Sequence, residues 1–278
     1  MAASAGTVEG PVAHHFNNMG QQLATVRFGM WLFLVTEVLF FGGALCAYTA
    51  YRIWYPKDFE AGSAALNVGI ASVNTFLLLT SSLTITLAIR AAYVQNRAAL
   101  MRYLLLTIVL GSAFLGLKAR EYYLDYEEGL IPGPATVMQK RTVMEHGKEV
   151  EKDVPVSKFN VALEEALKRE KFKGEAGKDY DPQRVQLFFM FYYSLTGLHV
   201  LHMIIGIGLL TWQLIYAQIG FFDHQSRYVY IEVMSLYWHF VDMVWMFLLP
   251  LLYLAGPHTA GQAVEQFKLA LGLAGGGH

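Results

Sequence analysis

One carboxylic acid lies in the middle of a long apolar run, where a charge is costly. Glu37 belongs to RFGMWLFLVTEVLFFGGALCAY, Arg27–Tyr48. Its helical neighbours three and four residues away are all apolar: Phe33, Leu34, Phe40 and Phe41. Because an ionised carboxylate inside a membrane costs several kcal/mol, we expect Glu37 to be protonated, and either paired or facing a polar interior. Glu37 then either titrates as part of the function or makes a hydrogen bond that fixes the packing of neighbouring helices.

Two more pairs of polar residues lie in apolar runs at helical spacing. His199 and His202 are three residues apart, as are His239 and Asp242, so each pair would share one helix face. The two histidines suggest a metal or haem ligand, yet zinc takes three or four ligands and a haem between helices needs opposed histidines. The histidine–aspartate pair suggests a proton relay. For both pairs we favour hydrogen bonds between neighbouring helices.

A third polar group closes another apolar run, in GLKAREYY. Lys118 and Arg120 precede Glu121 there, and we expect both basic side chains to extend to the membrane surface. The tyrosines that follow are typical of a span anchored at the interface. The sequence contains no phosphate-binding loop, no nucleophile beside a base and no cluster of metal ligands. We therefore expect no redox chemistry from this chain alone and no metal or haem bound to it.

The segments that must position these residues are long and almost free of charge. The chain has 278 residues, of which 55% are hydrophobic and 15% charged, whereas a typical soluble domain has about 25% charged residues. Five apolar segments are long enough to cross a bilayer: about 27–51, 68–91, 100–120, 186–216 and 229–254. The predicted fold is an all-α integral membrane protein, a bundle of five transmembrane helices with a polar extracytoplasmic insert between the third and fourth.

This division predicts a cytoplasmic N-terminal segment (1–26), three transmembrane helices (27–121), the extracytoplasmic insert (122–185), two more transmembrane helices (186–255) and an extracytoplasmic C-terminal tail (256–278). We expect Pro250 to kink the last helix. The loop between the second and third spans carries Arg90, Arg97 and Arg102 without an acid, and basic short loops stay in the cytoplasm. Since no cleavable signal is evident, we expect a bacterial plasma membrane protein with its N-terminus in the cytoplasm and its C-terminus outside.

The insert is crowded with charges of both signs. Within it, SKFNVALEEALKREKFKG is typical of a short amphipathic helix with one apolar face: Phe159, Leu163, Ala166 and Leu167. The insert is either a solvated surface loop or a docking surface for a partner. The net charge of -1 offers no basic surface for nucleic acid, and the single cysteine, Cys46, cannot form an internal disulfide.

Five motifs, in order along the chain, resemble those of cytochrome c oxidase subunit III. RFGMWLFLVTEVLFFGG resembles that family's span with a membrane-buried glutamate, VNTFLLLTSSLTITLA resembles the next span, and GLKAREYY resembles its EYY span end. TGLHVLHMIIG resembles its G-x-H-x-x-H-x-x-x-G helix, and YWHFVDMVWMFLL resembles its last span. The chain is similar to the five-span bacterial form, which lacks the first two helices of the seven-span form.

The resemblance implies an accessory, non-redox subunit of a proton-pumping haem–copper oxidase, in which electrons pass from cytochrome c to oxygen in aerobic respiration. Haem and copper would lie in partner subunits, with subunit I in direct contact and subunit II in the same complex. Members of the family hold phospholipids in a cleft, and they support assembly, proton uptake and turnover stability of subunit I. Glu37 would be the family's carbodiimide-reactive carboxylate. Other motif positions would make polar contacts between helices: His199, His202, His239, Asp242 and Glu121.

The insert is longer than the family's usual connection, and we expect it to contact a further small subunit or a cytochrome c domain. Related alternatives are a quinol oxidase and the accessory protein of nitric oxide reductase. The quinol enzymes tend to carry aspartate after serine where this chain has Thr36 and Glu37, which favours cytochrome c. From other classes, the chain could be a stand-alone proton channel or transporter, or a haem-binding electron carrier. The scattered protonatable residues and the lack of an internal repeat disfavour a transporter.

Overall fold

The computed structural model describes residue 16 and residues 18–145, 148–169, 180–223 and 227–254. Most of the predicted N-terminal segment and all of the predicted tail, 256–278, lie outside these ranges. Within them the elements follow in this order: α1 (Met19–Trp54), α2 (Pro56–Ala64), α3 (Val68–Tyr93), α4 (Arg97–Glu128), β1 (Thr136–Glu145), β2 (Lys148–Ser157), α5 (Lys158–Arg169), α6 (Pro182–Gln218) and α7 (Tyr228–Leu248). A 3₁₀ turn, Phe221–Asp223, precedes α7, and a π-helical segment, Leu249–Tyr253, follows it.

Five helices are long and apolar enough to cross a membrane: α1, α3, α4, α6, and α7 with its π-helical segment. They confirm the predicted all-α membrane fold with five spans. A continuous helix suits a span because lipid offers no hydrogen bonds, so each backbone N–H and C=O group must be satisfied within the segment.

The starts of four spans are set by capping side chains. Asn18, Asn67, Asn96 and Asp181 each accept a hydrogen bond from a backbone N–H two or three residues further on, at 2.8, 3.2, 3.0 and 3.0 Å. Such a cap satisfies one of the first N–H groups, which have no partner inside the helix. Consequently α1 begins at Met19, well before the apolar run that predicts it.

The last span changes its helix type where we expect a kink. Pro250 lies inside the π-helical segment Leu249–Tyr253. Proline has no N–H to donate, and its ring clashes with the carbonyl group four residues earlier. A local π-helical turn shifts the hydrogen-bond register and relieves this clash.

Two compact units divide the chain, and each contains parts of all five spans. The first unit consists of the residues up to Leu45, Asn74–Gly116 and Gly197–Phe247. Its core includes a polar seam between α3 and α7, in which the indole N–H groups of Trp238 and Trp245 donate to Ser81 and Thr75, both at 3.0 Å. The hydroxylated residues of the second apolar run thus bond across a helix interface.

The second unit consists of Cys46–Val73, Leu117–Thr196 and the residues from Leu248. Its core is aromatic, and Tyr48, Phe59 and Phe188 are fully buried there. The ring of Phe59 lies 5.4 Å from that of Tyr48 and 5.6 Å from that of Phe188, centre to centre. These contacts pack α2 against α1 and α6.

The insert contains a β-hairpin that the sequence analysis does not predict. Strands β1 and β2 pair antiparallel, from Thr136 opposite Ser157 to Glu145 opposite Lys148. Helix α5 follows and buries the apolar face that its spacing predicts: Phe159, Leu163, Ala166 and Leu167. The ring of Phe159 lies 5.3 Å from that of Phe189 on α6. The apolar face of α5 is therefore used within the second unit.

Candidate functional sites in the membrane helices

Glu37 of α1 and His202 of α6 form a pair in the first unit. The Glu37 Oε2 atom lies 3.1 Å from His202 Nε2, and the two side chains are 19% and 12% exposed, respectively. Both groups are therefore partly accessible. The structure supplies the polar partner that a carboxyl group inside a span requires.

The hydrogen bonds of His202 show which of its ring nitrogens carries a hydrogen. Its Nδ1 atom lies 2.8 Å from the backbone carbonyl oxygen of Leu198. A carbonyl oxygen only accepts, so Nδ1 must carry a hydrogen. Nε2 then either accepts a proton from a neutral Glu37 or donates one to an ionised Glu37. In both cases one hydrogen lies between the two side chains.

One aromatic ring contacts the imidazole, and two further aromatic residues lie nearby. The ring of Phe41 lies edge-on to His202 at 5.1 Å, and the hydroxyl of Tyr237 donates to the His202 backbone carbonyl at 3.0 Å. The Tyr237 ring in turn contacts Phe33, with ring centres 6.1 Å apart. These apolar neighbours lower the local dielectric, which strengthens the hydrogen bond between the carboxyl group and the imidazole.

His199 does not join this pair, although it lies one turn earlier on α6. It is fully buried, and its ring lies 5.5 Å from that of Phe114 and 5.2 Å from that of Trp245. The two histidines therefore contact different neighbours and do not converge on one ligand. Across the described ranges, no three or more His, Cys, Asp or Glu side chains are placed to hold a metal ion.

His239 and Asp242 both lie beside one residue of α3, Ser82. His239 Nδ1 lies 2.7 Å from the hydroxyl of Ser82 on α3, so this histidine makes a contact between helices. Asp242 is 7% exposed, and within the described ranges neither of its oxygens has a hydrogen-bond partner. No direct hydrogen bond joins His239 to Asp242 in the described part of the chain.

The expectation that Lys118 extends to the membrane surface is wrong. Its side chain is 1% exposed, and its ammonium nitrogen lies 3.0 Å from Glu121 Oε2. Glu121 is buried as well, at 4% exposure. The ammonium group remains inside because a carboxylate one turn away replaces the solvation that the interface would provide.

Two tyrosine hydroxyls complete the bonding of this ion pair, and we call the four residues the lysine cluster: Lys118, Glu121, Tyr192 and Tyr253. The ammonium group donates to both tyrosine oxygens, at 2.9 and 2.6 Å, and each hydroxyl donates to Glu121 Oε1, at 2.9 and 2.8 Å. All three ammonium hydrogens and both hydroxyl hydrogens are thus used. The lysine cluster is therefore closed and neutral, and it joins α4, α6 and the π-helical segment in the second unit.

The sequence analysis missed three of these four residues as partners. A Lys-x-x-Glu spacing places both side chains on one helix face, and this was the available signal for Lys118. No local pattern points to Tyr192 or Tyr253, since both lie more than sixty residues away along the chain.

Comparisons with known proteins agree with these motifs. The sequence model of the family described as cytochrome c oxidase subunit III matches residues 6–126 and 186–257. Cytochrome c oxidase subunit 3 of Lemur catta is 28% identical over 262 residues, which cover 91% of this chain and 73% of that protein. The subunit of Patiria pectinifera is 29% identical over 231 residues, covering 80% and 67%. That of Litocranius walleri is 29% identical over 248 residues, covering 86% and 72%. The family match leaves out the hairpin and α5.

Proposed function

Since the chain belongs to the cytochrome c oxidase subunit III family, we propose that it supports the catalytic subunit of a haem–copper oxidase without taking part in electron transfer. As an oxidase subunit with five spans, it is a multi-pass membrane protein in a complex with other oxidase subunits. Haem and copper belong to those partner subunits.

The Glu37–His202 pair carries this proposal. A pair that holds one proton can accept a second, which gives a neutral acid beside an imidazolium. It can also release the first, which leaves a carboxylate beside a neutral imidazole. Each step changes the net charge by one, so the pair responds to proton supply and to charges nearby. In this way the pair tunes proton uptake by subunit I and lengthens its active life during turnover.

Substitution of Glu37 by glutamine tests this role. Glu37→Gln keeps a hydrogen-bonding side chain beside His202 but cannot titrate. We expect an oxidase with normal haem content that pumps fewer protons per electron and inactivates several-fold sooner during turnover. The measurements are proton ejection by reconstituted vesicles and the decay of oxygen consumption with time. Wild-type values in both assays would contradict the titrating role and leave a structural one.

Glu232→Gln is the matched control. Glu232 is also a membrane-helix carboxylate, 2.9 Å from Arg27, but its side chain is 36% exposed and has no histidine partner in the described part of the chain. We expect this variant to keep pumping and turnover lifetime. If both glutamine variants lose them equally, the effect does not depend on the Glu37–His202 pair.

The proposed subunit role extends to the location of the chain, its partner subunits and its bound lipid. The chain lies in a bacterial plasma membrane with its N-terminus in the cytoplasm and its C-terminus outside. It contacts subunit I directly, shares a complex with subunit II and binds phospholipid. The 122–185 insert contacts a further small subunit or a cytochrome c domain. The basic loop with Arg90, Arg97 and Arg102 supports this orientation, and reporter fusions at each end test it.

Purification of the tagged chain from native membranes distinguishes the related oxidases. A mild-detergent pull-down is read by the reduced-minus-oxidised haem spectrum. Stoichiometric haem a supports a cytochrome c oxidase, whereas haem b alone favours a quinol oxidase or a nitric oxide reductase. If no haem co-purifies while other complexes stay whole, the proposed subunit role is wrong and a stand-alone transporter takes its place.

A further inference from the structure

A cavity of about 520 Å³ opens in the second unit where α1 ends and α6 begins. Its walls combine two cations, two carboxylates and aromatic rings: Trp54, Tyr55, Lys57, Asp58, Asp181 and Arg184. We call it the Arg184 cavity. The volume accommodates a polar group much larger than an ion, and the walls offer both signs of charge.

Arg184 is oriented by its neighbours without using all its donors. Its guanidinium carbon lies 4.5 Å from the centre of the Tyr55 ring. Its nitrogens lie 3.7 Å from Asp58 Oδ2 and 3.5 Å from Asp181 Oδ2, whereas charge-assisted hydrogen bonds measure about 2.7–2.9 Å. Since the side chain is 50% exposed, its N–H groups can still donate to an anion in the cavity.

The two carboxylates are fixed by separate backbone bonds. Asp58, which is buried, accepts the Asp181 backbone N–H at 2.7 Å. Asp181 accepts the Gln183 backbone N–H at 3.0 Å through Oδ1. The Asp181 side chain is 43% exposed, so its Oδ2 atom can also accept from a cation. A fixed positive charge and a fixed negative charge therefore face the cavity side by side.

The Arg184 cavity adjoins apolar surface at the end of the first span. Ile53 and Trp54 are 72% and 67% exposed, and tryptophan is enriched where lipid head groups meet hydrocarbon. At the rim, burial and the nearby Glu164 raise the pKa of Tyr180, so its hydroxyl stays protonated and able to donate. A lipid fits both the apolar surface and the charged cavity, because its acyl chains can cover the end of α1 while its head group enters the cavity.

We propose that the Arg184 cavity binds the head group of phosphatidylethanolamine, with its phosphate against Arg184 and Lys57 and its ammonium against Asp181. Phosphatidylglycerol lacks the ammonium that Asp181 would accept. Phosphatidylcholine lacks N–H donors, so it loses the hydrogen bonds to that carboxylate. This inference makes the lipid binding proposed above specific and rests on it, but it does not depend on proton transfer by Glu37.

The test uses the whole oxidase complex, stripped of loosely held lipid in mild detergent. Native mass spectrometry counts bound lipid while phosphatidylethanolamine, phosphatidylcholine or phosphatidylglycerol is added. We expect Arg184→Gln to weaken phosphatidylethanolamine binding about tenfold, the loss typical of a charge-assisted hydrogen bond. Asp181→Asn keeps the capping oxygen and should bind phosphatidylethanolamine and phosphatidylcholine equally. Arg102→Gln, on an exposed arginine outside the cavity, is the matched control and should bind like the wild type.

Three results would overturn the inference, and they are distinguishable. Equal phosphatidylethanolamine binding by wild type and Arg184→Gln places the lipid elsewhere but leaves lipid binding intact. No retained lipid in the wild-type complex refutes the proposed lipid binding as well. Displacement of the lipid by equimolar glycerophosphoethanolamine would mean that a soluble phosphate ester, not a lipid, is the natural ligand. Melting curves of each complex verify that the variants are folded.

Discussion

At the scale of single residues, two ionisable side chains inside membrane helices have a partner at hydrogen-bond distance. Glu37 has the imidazole of His202, and Lys118 has the carboxylate of Glu121. The two pairs differ in burial, because the side chains of the first are 19% and 12% exposed whereas those of the second are 1% and 4% exposed. Complete burial with every donor used suits a group that holds helices in place.

Substitution of Lys118 by methionine should strongly destabilise the subunit. The change leaves the Glu121 carboxylate buried without its ammonium partner, which typically costs about 3–5 kcal/mol. The double variant Lys118→Met/Glu121→Gln removes both charges, while the amide oxygen still accepts the two tyrosine hydroxyls. We expect it to recover most of that loss. Thermal unfolding of the complex in detergent compares the variants.

The control is an ion pair whose two side chains are exposed rather than buried. Arg27 and Glu232 are 42% and 36% exposed, and exposed pairs contribute at most about 1 kcal/mol. Arg27→Met should therefore have a small effect on unfolding. Equal destabilisation by Arg27→Met and Lys118→Met would contradict the view that burial makes the lysine cluster important.

At the scale of helices, close packing in the first unit depends on small residues opposite one large ring. The Trp238 side chain lies against Gly111 of α4 and Gly206 of α6. A Cβ atom added at Gly111 would lie 2.7 Å from the ring, and one at Gly206 would lie 3.1 Å from it. Small residues allow membrane helices to approach closely, and here they make room for an indole whose N–H bonds to Ser81.

Gly111→Ala should therefore loosen the packing of α4 on α7. Forcing extra volume into a packed interior typically costs about 1–3 kcal/mol, because the Trp238 ring must shift away from Ser81. Gly116→Ala on the same helix is the control, since no atom lies within 4 Å of its added Cβ. We expect a lower melting temperature only for Gly111→Ala, with a change in tryptophan fluorescence. Identical melting of the two variants would contradict this packing.

At the scale of the whole molecule, the chain consists of a family core with one added segment. The family match omits residues 127–185, where the structure has the hairpin and α5. The residues that flank the hairpin lie next to each other, because the Lys158 N–H donates to the Ala135 carbonyl at 2.8 Å. A two-stranded hairpin alone is only marginally stable in water. This supports the proposal that another protein of the complex covers it.

Removal of residues 136–157 tests this docking role without disturbing the spans. A short glycine–serine linker can join Ala135 to Lys158, since their backbones are already hydrogen-bonded. We expect normal haem content, together with loss of a small subunit from the purified complex or a KM for cytochrome c raised several-fold. Unchanged subunit composition and unchanged cytochrome c kinetics would contradict docking by the hairpin.

The sequence by itself determined the five spans and the family, and it singled out Glu37 as a candidate. An apolar run of membrane length has one stable form, a helix with all its backbone groups bonded. A carboxyl group within such a run is conspicuous whatever its partner. The apolar face of α5 was also predictable, because Phe159, Leu163 and their neighbours follow helical spacing. In β2, Val150, Val154 and Val156 lie at even positions, but Lys152 interrupts the alternation and Pro155 separates the last two valines, so the sequence signal for a strand is weak.

Only the tertiary structure decided which polar groups meet. Glu37 and His202 are 165 residues apart along the chain, and Lys118 and Tyr253 are 135 apart. A span is apolar all round, so its sequence does not reveal which face turns towards which neighbour. Packing sets the rotation and height of each helix, and with them the partner of each side chain. For this reason the sequence predicts an interface anchor at Lys118, whereas the structure places its ammonium group beside a carboxylate and two tyrosine hydroxyls.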